Sequence, residues 1–329
     1  MHSNPQARRP AILVLLATVA TVLAVACTPT VGSGGTLSPR SPDGGTVPPA
    51  TAGPSAEPSA APSGDPSEPP VTTPAPGSTA TPRPTATPSG ATTVKIYLLA
   101  NEELVPVLRR IEPTVAVGRA ALNELFEGPT AAEADASPSL GTTVPAGTIL
   151  LGLDIADGLA TVDLSREFES GGGSASMFGR LAQVVYTLTQ FPTVDRVAFR
   201  LDGEPVTVFS GEGIVLDGPS VRSDYEAFLP PVFVESPAWG GTLGNPGRLT
   251  GVANTFEATF MIEILDGDGR TLYREHAMAT CGTGCWGTFD VTVRYDVASR
   301  HQGQLLVYVL SARDGSIENL RSYPVTLVP

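Results

Sequence analysis

Between residues 28 and 92 the chain lacks the means to fold. Sixteen of its 32 prolines fall in this stretch, and the rest is almost entirely Ser, Thr, Gly and Ala. Val31, Leu37, Val47 and Val71 are its only larger aliphatics, and it has no aromatic residue. Such a segment buries too little apolar surface to offset the entropy of ordering its backbone. Its prolines remove amide donors and favour extended polyproline II geometry. The expectation is a disordered tether over residues 27–92. At roughly 3.1 Å per residue its extended length would approach about 200 Å.

The sequence before this stretch assigns it a purpose. Arg8 and Arg9 precede an apolar run over residues 11–26, which ends in Ala24-Val25-Ala26-Cys27. A basic start, an apolar middle and small residues before the cut describe a secretory signal peptide, here residues 1–26. A cysteine directly after the cut follows the pattern of bacterial lipoproteins, in which the thiol carries the lipid. Cys27 is therefore the expected lipid attachment site, and the expected location is the extracytoplasmic face of the cell membrane, held there by that lipid.

The tether leaves room for two domains of ordinary size. Residues 93–228 hold nine basic and 19 acidic side chains, and residues 229–329 hold seven and ten. Both parts are acidic, which argues against a nucleic-acid partner, since phosphate binding needs a basic face. The same imbalance disfavours docking on anionic lipid.

Residues 93–228 read as a mixed α+β domain. Residues 94–99 predict a strand, and residues 117–126 a helix with Ala121, Leu122, Leu125 and Phe126 on its apolar face, stopped by Gly128-Pro129. Residues 148–155 and 159–164 predict two strands joined at Asp157-Gly158, a strong hairpin signal. A second helix is expected after the glycines at 171–173, capped by Ser174 or Ser176 and carrying Phe178, Leu181, Val185 and Leu188. Residues 194–201 predict another strand, turned at Asp202-Gly203 into residues 205–209. Residues 229–329 predict about seven short strands with turns every 8–12 residues, the signature of a β-sandwich. In this reading Phe256, Ala258, Phe260, Ile262 and Ile264 alternate along one strand.

Both halves resemble known families. Ala156-Asp157-Gly158-Leu159-Ala160-Thr161-Val162-Asp163-Leu164, the helix through Gln183-Val184-Val185-Tyr186, Phe191-Pro192-Thr193-Val194 and Leu201-Asp202-Gly203-Glu204-Pro205 together resemble the GerMN domain of sporulation and germination lipoproteins. Ser236-Pro237, Asn245-Pro246-Gly247, Asp266-Gly267-Asp268-Gly269 and Trp286-Gly287-Thr288-Phe289 resemble the immunoglobulin-like domain that accompanies it. The resemblance implies a non-enzymatic binding or scaffold module of the cell envelope, with no cofactor. The implied partner is an envelope protein or peptidoglycan. Two other roles stay open: a carboxylate-dependent wall or carbohydrate hydrolase, and an assembly subunit or spacer in an envelope complex.

Little else in the sequence carries chemistry. Cys281 and Cys285 are expected to close a small disulfide loop at an oxidising surface. Zinc held by the same cysteines with His276 and His301, or two free thiols, are the alternatives, but the spacing matches no standard zinc pattern. Asp266-Gly-Asp268-Gly269 begins like a calcium loop but lacks the later carboxylates, so a turn is the better reading. The glycines at 171–173 precede a helix, yet no Lys-Ser/Thr follows them for a phosphate. Glu167 and Glu169 are the nearest pair of local carboxylates, and Trp239 and Trp286 are candidates for stacking on sugar.

Overall fold

A computed structural model describes residues 90–329. The expected signal peptide, Cys27 and nearly all of the expected tether lie outside the described residues.

The chain enters as an antiparallel hairpin, β1 (Thr92–Ala100) and β2 (Glu103–Ile111). Its two-residue turn is Asn101-Glu102, both left-handed at φ 51° and 66°. Nothing in the sequence reading pointed to β2, because Pro106 sits in its middle and the turn lacks glycine. Pro106 is tolerated because the outer edge of β2 carries only an isolated bridge to Trp239, in which Pro106 accepts and no amide donor is needed from it. Helix α1 (Val117–Glu127) follows, then a single turn α2 (Ala131–Ala134) held by a capping box between Thr130 and Glu133.

Strands β3 (Leu150–Ala156) and β4 (Gly158–Leu164) form the expected hairpin about Asp157-Gly158, with φ 50° and 77°. The chain then crosses through helix α3 (Ser174–Leu188) to β5 (Val194–Leu201), which lies parallel to β4. Asp202-Gly203 repeats the left-handed turn into β6 (Glu204–Pro205). The single strand expected over 205–209 is instead split. β6 pairs with β5, while β7 (Val208–Phe209) pairs with β8 (Ile214–Val215).

Helix α3 is the axis of this domain, with 11 of its 15 residues buried, so it packs on more than one side. It has two corrections to the expected pattern. Its N-cap is Gly173, with neither serine in that role, and Phe178 points outward at 38% exposure. The polar stripe Gln183, Thr187 and Gln190 does unexpected work. Gln183 Nε2 donates to Tyr97 O at 2.8 Å, Thr187 Oγ1 accepts from Tyr97 N at 3.2 Å, and Gln190 exchanges hydrogen bonds with both backbone groups of Lys95. Gln183 and Thr187 lie one turn apart on the same face of α3, and Gln190 follows in the turn after it. They satisfy the free edge of β1 as a neighbouring strand would.

A 3-10 segment, Arg222–Phe228, leads into the second domain. Here β9 (Val232–Ser236), β11 (Gly247–Ala253) and β14 (Gly287–Val293) form a three-stranded sheet in the order β14-β11-β9. The facing sheet orders β10 (Thr242–Leu243), β16 (Ile317–Leu327), β15 (His301–Leu310), β12 (Thr259–Leu265) and β13 (Thr271–Met278) as β10-β16-β15-β12-β13. Phe260 and Phe289 meet between the sheets with ring centroids 4.9 Å apart. β12 begins later than the alternation suggested. Glu257 is left-handed at φ 53°, so residues 256–258 coil as a 3-10 turn and Phe256 is 62% exposed.

At Gly251 a β-bulge brings β11 close to β9. A Cβ there would lie 2.0 Å from Phe233 O and 2.6 Å from Phe289 Cζ. Gly251→Ala is expected to lower stability by about 3 kcal/mol, at the upper end for overpacking, because one neighbour is backbone. A urea midpoint within error of the wild type would show that the sheet relaxes freely there.

Candidate functional site

The two domains share one continuous hydrophobic core rather than two separate ones. The period of two in a strand puts Lys95 and Tyr97 of β1 on one side, and likewise Phe233 and Glu235 of β9. These pairs face each other across the domain seam. Glu235 accepts from Lys95 Nζ and from Arg222 Nη1, each at 3.3 Å, and from the Tyr97 hydroxyl. Arg222, from the 3-10 segment, lies with Cζ 4.5 Å from the Tyr186 ring centroid and 5.5 Å from that of Tyr97. Its other N–H groups donate to Thr189 Oγ1 at 2.7 Å, Tyr97 OH at 3.3 Å and Tyr186 O at 3.3 Å. Phe233 packs beside both tyrosine rings, at 6.4 and 6.1 Å.

The electrostatics of this cluster are set by burial and by charge pairing. Burial alone would raise the Glu235 carboxyl, but Arg222, Lys95 and the Tyr97 hydroxyl together hold it below the usual carboxylate range. Burial pushes Tyr97 well above its ordinary value, with the Glu235 charge adding to the shift. Elsewhere along the seam, Arg321 Nε donates to Glu103 at 2.6 Å and the Trp239 amide donates to Pro106 O at 2.8 Å.

Beside this cluster lies a groove of about 750 Å³. Its origin is a cross-strand row on the outer face of the three-stranded sheet, Phe233–Val252–Thr288. The first domain covers the Phe233 end and leaves the β11 and β14 ends open. Thr250, Val252, Thr288 and Asp290 line it from those strands; Tyr186, Arg222 and Glu226 line it from the first domain; Trp286, just before β14, and Met278, at the end of β13, complete the lining. A second seam groove, of about 480 Å³, is lined in part by Trp239, Pro230 and Tyr323.

The structure scatters the residues that the sequence singled out. Cys281 and Cys285 are joined as a disulfide with Cα atoms 5.8 Å apart, and among the described residues no group of three or more His, Cys, Asp or Glu is placed to hold a metal. Replacing both cysteines by serine is expected to cost at most about 2 kcal/mol, because the closed loop is so short. A larger drop in thermal midpoint would mean the bridge sustains more than its own loop. Asp266 closes a turn, accepting from the amides of Asp268 and Arg270 at 3.0 and 2.8 Å. The segment leading into the glycines at 171–173 wraps the buried Arg180 guanidinium, whose N–H groups donate to Phe168 O, Ser170 O and Gly171 O at 2.7–2.9 Å. Carbonyls turned inward toward an arginine leave no cradle for phosphate. Glu167 is exposed and Glu169 pairs with Arg166 at 3.0 Å, on either side of the fully buried Phe168. Only Trp286 and Trp239 reach grooves, one each.

Sequence reasoning passed over Lys95, Tyr97, Arg222 and Glu235. The one usable signal was the placement of Lys95 and Glu235 in otherwise apolar strands. Their pairing spans 140 residues of sequence.

Residues 95–207 match the family described as Germane, sporulation and spore germination, and residues 231–316 match Gmad2, the immunoglobulin-like domain of bacterial spore germination. The first domain is therefore similar to GerMN domains and the second to germination-type immunoglobulin-like domains. A curated relative, lipoprotein LpqB of Thermobifida fusca (strain YX), is 28% identical over 182 residues, which are 55% of this chain and 28% of LpqB. The chain thus spans under a third of that relative's length. Among solved structures, the first GerMN domain of the sporulation protein GerM from Bacillus subtilis is 21% identical, with 40% of this chain and 99% of that one covered and a TM-score of 0.35. A putative lipoprotein from Clostridium perfringens is 24% identical, with 41% and 90% covered and a TM-score of 0.30. The α+β domain followed by an all-β sandwich agrees with the matched families. Both families are described by sporulation and germination, not by a reaction.

Proposed function

We propose that this chain is a lipid-anchored extracytoplasmic module that binds an envelope component through the groove at its domain seam, without catalysis. The observation that carries this reading is the seam itself. Two small domains are joined into one unit by a shared core and a half-buried charge cluster, which frames the groove between them. A preformed groove of this size lies within the ordinary range for ligand sites. Glu235 supports the non-catalytic part. It is held ionised by three donors, so it has no proton to give as the acid of a glycosidase pair. The name of the LpqB relative and the Cys27 pattern both support lipid anchoring. Among the described residues no helix is long and apolar enough to cross a membrane.

The test is crosslinking in intact cells from a photoreactive residue placed at Thr288, with the full chain processed as a lipoprotein. The expected result is recovery of a specific envelope component, lost when the groove is blocked. Recovery of nothing above background, or the same adducts from the blocked variant, would sink the proposal. In the same cells, Cys27→Ser is expected to move the chain out of the membrane fraction.

A further inference from the structure

We propose that the seam groove is a saccharide site, taking an uncharged stretch of oligosaccharide across Trp286. The inference rests on the binding-module reading above and names the ligand for it.

The groove's own chemistry narrows the choice. An anionic ligand finds no partner, because the Arg222 guanidinium is already committed to Glu235, Tyr97, Thr189 and Tyr186. Glu226 would repel it, and the charge of Asp290 is already matched by Arg248, which holds both its carboxylate oxygens at 2.8 and 2.6 Å. A wholly apolar ligand is disfavoured by the outward hydroxyls of Thr250 and Thr288 on the sheet face. A metal-dependent ligand lacks a ligating cluster among the described residues. What remains is a neutral molecule rich in hydroxyls with an apolar face. Sugar hydroxyls would donate to the carboxylates and exchange hydrogen bonds with the threonines, while the C–H face of a pyranose would lie on the indole.

Trp286 is built for such a platform. It directly follows the Cys281–Cys285 bridge and precedes Gly287, where a Cβ would lie 2.2 Å from Cys281 N. The backbone on both sides is therefore fixed by packing and by the disulfide. The indole is only partly buried and opens onto the groove. An aromatic held in place before binding reduces the ordering cost of association.

The chain has two tryptophans, which gives a direct readout. In the full chain carrying Trp239→Phe, held in a detergent without sugar headgroups, Trp286 is the sole indole. Titration with chitotetraose and with cellotetraose is expected to shift its emission saturably with at least one of them. Thr288→Arg, and separately Glu226→Arg on the opposite wall, are expected to weaken that binding about tenfold or more. Their circular dichroism and melting should match the parent, so that a lost response is not lost folding. Absence of any saturable shift with both sugars overturns the saccharide assignment. If crosslinking at Thr288 still captures an envelope protein, the binding-module reading stands and only the ligand class is wrong. Saturable binding that both arginine variants leave intact also overturns the proposal, because the sugar then sits elsewhere.

Discussion

Glu235→Ala is expected to lower the stability of the two-domain unit by about 3 kcal/mol, the low end for breaking a buried ion pair. The low end is appropriate because the Glu235 side chain keeps 20% of its exposure. The cost arises from what is left behind: Lys95 and Arg222 lose their counter-charge and the Tyr97 hydroxyl loses its acceptor. For a unit of this size the thermal midpoint should fall by about 6–12 °C. Acid should reproduce part of the effect in the wild type. The folded carboxyl lies below its ordinary value of 4.5, so the unfolded chain takes up its proton first as pH falls. The stabilisation is complete above that value and disappears as pH drops through the folded one. Glu235→Gln should remove this contribution to the acid limb. A midpoint drop under about 1 °C for the alanine variant, at neutral pH, would show that the cluster contributes nothing net.

Phe233→Ala is expected to cost about 3–5 kcal/mol, as for a buried aromatic truncated in a core. Phe233 is 1% exposed and is the side chain of β9 that packs against both Tyr97 and Tyr186. Because the hydrophobic core runs unbroken through the seam, the wild type should give one calorimetric transition across both domains. Removing the ring thins that junction, and the variant should show two separated transitions or a markedly broadened one. A single sharp transition with an unchanged midpoint would mean that the domains are coupled elsewhere, through Arg321–Glu103 and the Trp239–Pro106 contact.

Local chemistry explains which elements were legible. The turns at Asp157-Gly158 and Asp202-Gly203 announced their hairpins because aspartate followed by glycine fits left-handed geometry. The β1–β2 turn uses Asn101-Glu102, whose second residue gives no such signal, and β2 was missed. Phe256 read as part of a strand because alternation is blind to left-handed residues such as Glu257 and Ala258. Gln183, Thr187 and Gln190 read as an ordinary polar stripe, since nothing local reveals that a strand edge lies beside them.

The sequence by itself carried the order of parts: an expected signal peptide over residues 1–26, a proline-rich stretch, an α+β domain and a sandwich. Composition, periodicity and turn residues act over a few neighbours, so they survive in one dimension. Tertiary structure alone decided the seam. It brought Lys95 and Tyr97 to Glu235 across 140 and 138 residues and set Arg222 between them. It also left the β11 and β14 ends of one sheet face open as a groove. Those choices depend on how two apolar surfaces fit together, and shape complementarity between distant segments leaves no periodic trace in the chain.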